Sequence, residues 1–234
     1  MGQELVRREG LICLALLLAA CQEAKVVEHK VAATVAPQMQ ATVITLQTSL
    51  QPQNRTFTHT ITIANGRARS SDEIDRWRLF DLDRGTISYV DDLAKEYYTI
   101  PVPKAAAAPP LVATGEKRPI LGVEANQYVL RFGGLQRELW MGAPASIPPN
   151  LFAMMHADDS RLAALPGFAL VDHSELPFGK SKMVVEHSVI GIDQRNVPQS
   201  TLNIPADYKE ITAPGANRPP ASSPPRDQST RGAG

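Results

Sequence analysis

Period-two alternation of large apolar with small polar residues constrains this chain more than any other feature, because a strand half-buried on a sheet face presents side chains that way. It is clearest in Phe57-Thr58-His59-Thr60-Ile61-Thr62-Ile63, which runs to the turn signal Asn65-Gly66, and Thr42-Val43-Ile44-Thr45-Leu46 precedes it. These segments read as two antiparallel strands. Arg76-Trp77-Arg78-Leu79-Phe80 and Thr86-Ile87-Ser88-Tyr89-Val90 flank Asp83-Arg84-Gly85, which predicts a hairpin. The chain then turns at Asp91-Asp92, and Glu96 to Ile100 forms another strand that Pro101 and Pro103 stop.

Pro101 to Pro119, with alanines at 105–108 and Pro109-Pro110, reads as a loop insertion at about 101–119. Pairing resumes over Gly122 to Phe132, turns at Gly133-Gly134 and returns over Gln136 to Met141. Pro148-Pro149 introduces a helix from Asn150 to about Leu165, with Leu151, Met154, Met155, Leu162 and Leu165 near helical spacing, and Pro166-Gly167 ends it. Strands follow at Phe168 to His173 and Lys182 to Asp193, before a last stretch at Leu202-Asn203-Ile204-Pro205. The expected fold is mainly β (α+β): a large curved antiparallel sheet or half-barrel over residues 41–212, wrapped around one or two helices.

The ends read differently. Arg7 and Arg8 precede an apolar run from Leu11 to Ala20, about half the roughly 20 residues that cross a bilayer, so the run reads as a signal h-region. Leu18-Ala19-Ala20-Cys21 resembles the lipobox of bacterial lipoproteins. The resemblance implies removal of residues 1–20, diacylglyceryl transfer to the Cys21 thiol and acylation of the new amine, so membrane anchoring. Each buried methylene contributes about 0.8 kcal/mol, and two or three chains make such an anchor effectively permanent. Gln22 follows, where an Asp would retain many enterobacterial lipoproteins in the inner membrane. The implied address is therefore the cell envelope, at the periplasmic face of the outer membrane. The other cysteine, Cys13, falls in the leader, so no disulfide is expected. Residues 21–40 read as a flexible tether, and 213–234, with Pro214, Pro219, Pro220, Pro224 and Pro225, as a disordered proline-rich tail suited to a spacer or an envelope contact.

Twenty-four basic and 24 acidic residues balance without a block of like charge, which gives no electrostatic footprint for nucleic acid. The five histidines, at 29, 59, 156, 173 and 187, show no metal-ligand spacing, and neither a metal nor a cofactor is expected. Asp172-His173-Ser174 holds triad residue types, but adjacent strand side chains point to opposite faces and form no relay. Asp81-x-Asp83-x-Gly85 lacks the closing Glu of a calcium loop and reads as a turn. His156-Ala157-Asp158-Asp159 places a base beside two carboxylates, which with His173 makes an envelope hydrolase the alternative reading.

Three stretches carry a second resemblance: Arg78 to Asp91 with Lys95-Glu96-Tyr97-Tyr98; Gly122 to Tyr128 leading to Glu138-Leu139-Trp140; and Val197-Pro198-Gln199 with Pro205-Ala206-Asp207-Tyr208-Lys209. Together they are similar to the uncharacterised exported domains of the Lol lipoprotein-carrier superfamily over about residues 70–210. The resemblance implies a half-barrel with a hydrophobic concavity for an acyl chain or another apolar partner. Alternation nominates Phe57, Ile61, Ile63, Trp77, Leu79, Ile87, Tyr89, Tyr98, Val129 and Trp140 as its lining, and the same residues also suit a plain core. The expected function is a non-catalytic, membrane-anchored lipoprotein that binds an apolar ligand or an envelope protein. A purely structural envelope protein is the third reading.

Overall fold

The computed structural model describes residues 36–71, 75–102, 111–132, 134–179 and 181–214, all inside one compact unit, Ala36–Gly234. The leader, Cys21 and residues 215–234 lie outside the described residues. The strands are β1 (Gln38–Gln51), β2 (Arg55–Ala64), β3 (Arg67–Ser71), β4 (Arg76–Asp81), β5 (Thr86–Asp91), β6 (Glu96–Pro101), β7 (Val112–Ile120), β8 (Val123–Phe132), β9 (Leu135–Gly142), β10 (Phe168–Phe178), β11 (Ser181–Pro198) and β12 (Lys209–Glu210). Two short helices, α1 (Leu151–Met155) and α2 (Ser160–Ala163), separate β9 from β10, and a 3-10 turn covers Gln199–Leu202.

All twelve strands form one open, curved sheet in the order β12-β6-β5-β4-β3-β2-β1-β11-β10-β9-β8-β7. Two antiparallel meanders, β1 to β6 and β7 to β11, are joined where β1 pairs with β11 from Gln38↔Pro198 to Gln51↔Val184. Chain reach requires the curvature. β6 and β7 are ten positions apart in the sheet, about 48 Å if it were flat at about 4.8 Å per strand. The link from Val102 to Leu111 spans about 30 Å at full extension. Bending brings the two ends together, and Leu111, Val102 and Ile100 all pack on the same apolar cluster.

Each sheet face carries a cluster. On the concave side, Ile44, Leu46, Ile61, Ile63, Phe80, Ile87, Leu139 and Met141 meet Leu151, Phe152, Met154, Leu162 and Leu165 from the helical connection. On the convex side Trp77, Leu79 and Val90 lie beneath Leu202, with Ile204 and Tyr208 packed alongside. Burial of apolar surface stabilises both, at about 25 cal/mol per Å².

The curved β sheet around short helices matches the expected fold class; several local expectations need correction. The loop insertion is shorter than 101–119, because Val112–Ile120 is a strand on β8. Its residues are almost all exposed, so neither face left a hydrophobic period to read. Pro119 is tolerated there because β7 is an edge strand, paired with β8 alone among the described residues. The single helix over 150–165 is two, broken at His156–Asp159, where the Asp159 carboxylate accepts from the Arg161 backbone N–H and caps the second. Gln38–Gln40, assigned to the tether, begin β1. Leu202 closes a 3-10 turn instead of opening a strand, and β12 runs parallel to β6, so the sheet is not wholly antiparallel.

Candidate functional site

Register aligns Tyr98, Tyr89, Arg78, Ser70, Ile61 and Ile44 in one row across β6, β5, β4, β3, β2 and β1. Ile61 and Ile44 are fully buried, whereas the β4–β6 end of the row opens into a cleft beneath α1. The cleft holds about 670 Å³ and is lined by Ile87, Tyr89, Tyr98 and Ile100 from the sheet and Met154, Met155 and Ala157 from the helical side. Tyr89 and Tyr98 stack with centroids 5.0 Å apart and planes 12° from parallel. Burial, then the neighbouring Tyr89, pushes the Tyr98 phenol above its ordinary value, so it stays neutral and keeps its proton to donate.

A second row, Phe57, Thr48, His187, Asp172 and Leu139, crosses β2, β1, β11, β10 and β9, and its first four members line an adjoining cavity of about 460 Å³. Leu46, Phe152, Met155, Phe168 and Ala169 give it apolar walls, and His59, Arg78, Arg137 and His156 add polar groups. Arg137 donates to Asp172 through both arms of its guanidinium, at 2.9 and 2.5 Å, and the two charges cancel inside the fold. Thr48 Oγ1 and His187 Nδ1 are 2.8 Å apart. His156, following the last turn of α1, packs its ring 4.5 Å from that of Phe152. Burial, reinforced by the positive charge of Arg137, pushes His156 down to about 4, and burial likewise pushes His187 down. His156 is therefore neutral at physiological pH.

Arg78 and Met155 line both cavities, and Arg78 Nη1 donates to the Met155 carbonyl at 3.2 Å. Both spaces are lined mainly by apolar side chains, with charged or imidazole groups set among them. Such a lining suits a molecule with an apolar body and a polar end. Among the described residues, no three His, Cys, Asp or Glu side chains gather to hold a metal ion.

The nominated lining is divided. Ile87, Tyr89 and Tyr98 line the cleft, and Phe57, about half exposed, lines the mouth of the second cavity. Ile61 and Ile63 are core. Leu79 belongs to the convex cluster; Trp77 borders the cleft, but its indole lies on that convex side, Nε1 donating to Asp92 and the Arg69 guanidinium 3.9 Å above the ring. Phe80, paired with Ile87, is the inward aromatic residue of that strand. Trp140 is buried in the same apolar cluster as Leu139 and Met141 but alternates with them along β9, lies under the Arg118 guanidinium at 4.0 Å, and lines neither cavity. Val129 pairs with Glu138 on that same side as Trp140.

The residues of the hydrolase reading are not brought together. His173 stands beside Glu186 and Glu175 on the face opposite Asp172; Asp159 is held by Arg161; Asp158 reaches the cleft rim. Alternation did not reveal Arg78, Arg137, Asp172 and His187. Their signal was polarity at inward positions, two residues from Phe80, Leu139 and Val189 for Arg78, Arg137 and His187, while Asp172 follows Ala169 across a β-bulge.

No protein-family profile matches the chain, and no curated protein resembles it closely enough to count as a relative. Among solved structures, PNGF-II in its C2 crystal form superposes with a TM-score of 0.51 at 13% identity over 75% of this chain. Its P21 form gives 0.44 at 14% identity over 74%. The chain spans 31% of the length of either PNGF-II chain, and the likeness to the C2 form is one of fold alone.

Proposed function

We propose that this protein is a lipid-anchored component of the bacterial cell envelope whose curved sheet holds an apolar ligand in the cleft beneath α1. The observation that carries this reading is the cleft of about 670 Å³, with Ile87, Ile100, Met154 and Met155 around the stacked Tyr89 and Tyr98. Its size falls in the usual range of small-molecule sites, roughly 300–1,000 Å³. Burying about ten methylenes there contributes roughly 8 kcal/mol before the cost of association. The adjoining cavity behind Arg78 sets His59, Arg137 and His156 among apolar walls, and these groups suit the polar end of the same molecule. The lipobox-like run ending at Cys21 supports the anchor and the periplasmic face of the outer membrane as the address.

Native mass spectrometry of protein purified from its own host tests the binding. A co-purifying fatty acid or phospholipid is expected, together with at least a tenfold loss of affinity in Ile100→Glu, which sets a carboxylate in the apolar lining of the cleft. An empty protein, or an Ile100→Glu variant that folds and binds like the parent, overturns it. Intact-mass analysis should find Cys21 acylated and residues 1–20 gone; an unmodified Cys21 removes the anchor from the reading.

A further inference from the structure

The described chain ends beside the cleft. β12 pairs with β6 through Lys209↔Glu96 and Glu210↔Tyr97, the Ile211 N–H donates to the Tyr97 carbonyl at 2.8 Å, and Ile211 itself joins the cleft lining. Pro214 is the last described residue, and residues 215–234 follow with Arg218-Pro219-Pro220 and Pro224-Pro225-Arg226. From Pro214 to Pro219 an extended polyproline II backbone covers about 15 Å at about 3.1 Å per residue, so both diprolines start within reach of the cleft.

The chemistry of cleft and segment is complementary. A prolyl residue has no N–H, so it brings no unsatisfied donor into an apolar groove, and its ring fits against aromatic faces. The parallel Tyr89 and Tyr98 rings present such faces. Five charged residues line the cleft: Arg76, Arg78, Asp91, Glu96 and Asp158. Arg76 and Asp91 pair at 3.3 Å, which leaves the lining with one excess negative charge opposite a segment that carries Arg218 and Arg226. We infer that the segment Arg218–Arg226 docks in this cleft as a polyproline II strand across Tyr89 and Tyr98, its arginines toward Glu96 and Asp158. The docked segment and an apolar ligand then compete for one site; that consequence alone rests on the ligand reading.

Fluorine NMR of the unit Ala36–Gly234 labelled with 3-fluorotyrosine tests the docking without any ligand. The chain has five tyrosines, Tyr89, Tyr97, Tyr98, Tyr128 and Tyr208, so each signal is assignable by a Tyr→Phe variant. Ending the chain at Pro214 should shift the Tyr89 and Tyr98 signals and leave Tyr128 in place. A synthetic peptide of residues 215–230 should restore them, and the same peptide with its four prolines changed to alanine should not. Identical spectra with and without residues 215–234 overturn the inference, as does restoration by the alanine peptide. A shift that grows with protein concentration assigns the groove to a second copy and also overturns it. Palmitate titrated into the chain ending at Pro214 is read separately: failure to bind counts against the ligand reading, while the docking stands or falls on the spectra.

Discussion

His156 shows how one residue couples burial to pH. Its ring lies against Phe152 with Arg137 nearby, and protonation is disfavoured down to about 4, against about 6.5 in an unfolded chain. The folded state thus binds fewer protons than the unfolded state between those values. The stabilisation is complete above about 6.5 and is lost as pH falls toward 4. Denaturant unfolding at pH 7 and pH 4 should show a loss on the order of 2 kcal/mol, allowing for the water that reaches a half-buried ring, and His156→Gln should remove much of that difference. On the convex side, the Asp92 carboxylate accepts from Trp77 Nε1 at 2.7 Å and from the Tyr208 hydroxyl at 3.0 Å. Asp92→Ala strands both donors and should cost about 1–3 kcal/mol by the same measurement. A residue's face is hard to read here: Trp77 and Phe80 are both large and buried, one on each side of β4. With both faces covered, alternation loses its contrast, and only the pairing of Phe80 with Ile87 shows which residue looks inward.

Among the elements, turns were legible because their chemistry is local. Asn65-Gly66 takes left-handed φ values of 50° and 69°, and Arg84 N–H donates to the Asp81 carboxylate in the next turn. The β7–β8 turn uses Leu121 and Gly122, with φ of 49° and 75°. A half-exposed leucine is strained there, so Leu121→Asn should raise stability by about 0.5–1 kcal/mol, visible as a higher thermal midpoint. Gly167 is the opposite case. At φ +84° a Cβ would lie 2.3 Å from the Gly142 carbonyl oxygen, so Gly167→Ala should lower the midpoint and loosen the entry to β10. β7 was illegible for a different reason: its backbone pairs with β8 while its side chains stay in water, and edge pairing of that kind leaves no mark in hydrophobic period.

Across the whole molecule, the sheet closes on a pairing between its first and eleventh strands, where Ile44 sits between Ile61 and Ile192. Such a junction forms only after a long loop is closed, and folding rates fall as pairings become less local. Refolding followed by stopped-flow tryptophan fluorescence should therefore take milliseconds to seconds or longer, and a microsecond phase carrying the full amplitude would contradict the topology. Trp77 and Trp140 report on opposite halves of the sheet, β4 and β9, so both meanders are observed at once.

Strand composition, turn residues and helix breakers act over a few neighbouring residues, and those the sequence by itself determined: a mostly β chain, its hairpins, and the segment that became α1 and α2. The cleft is different in kind. Tyr98, Tyr89, Arg78 and Met155 come from three strands and a helix, and only register, curvature and the join of β1 to β11 set them around one space. Those depend on residues far apart in the chain burying surface together, a term that local pattern does not contain.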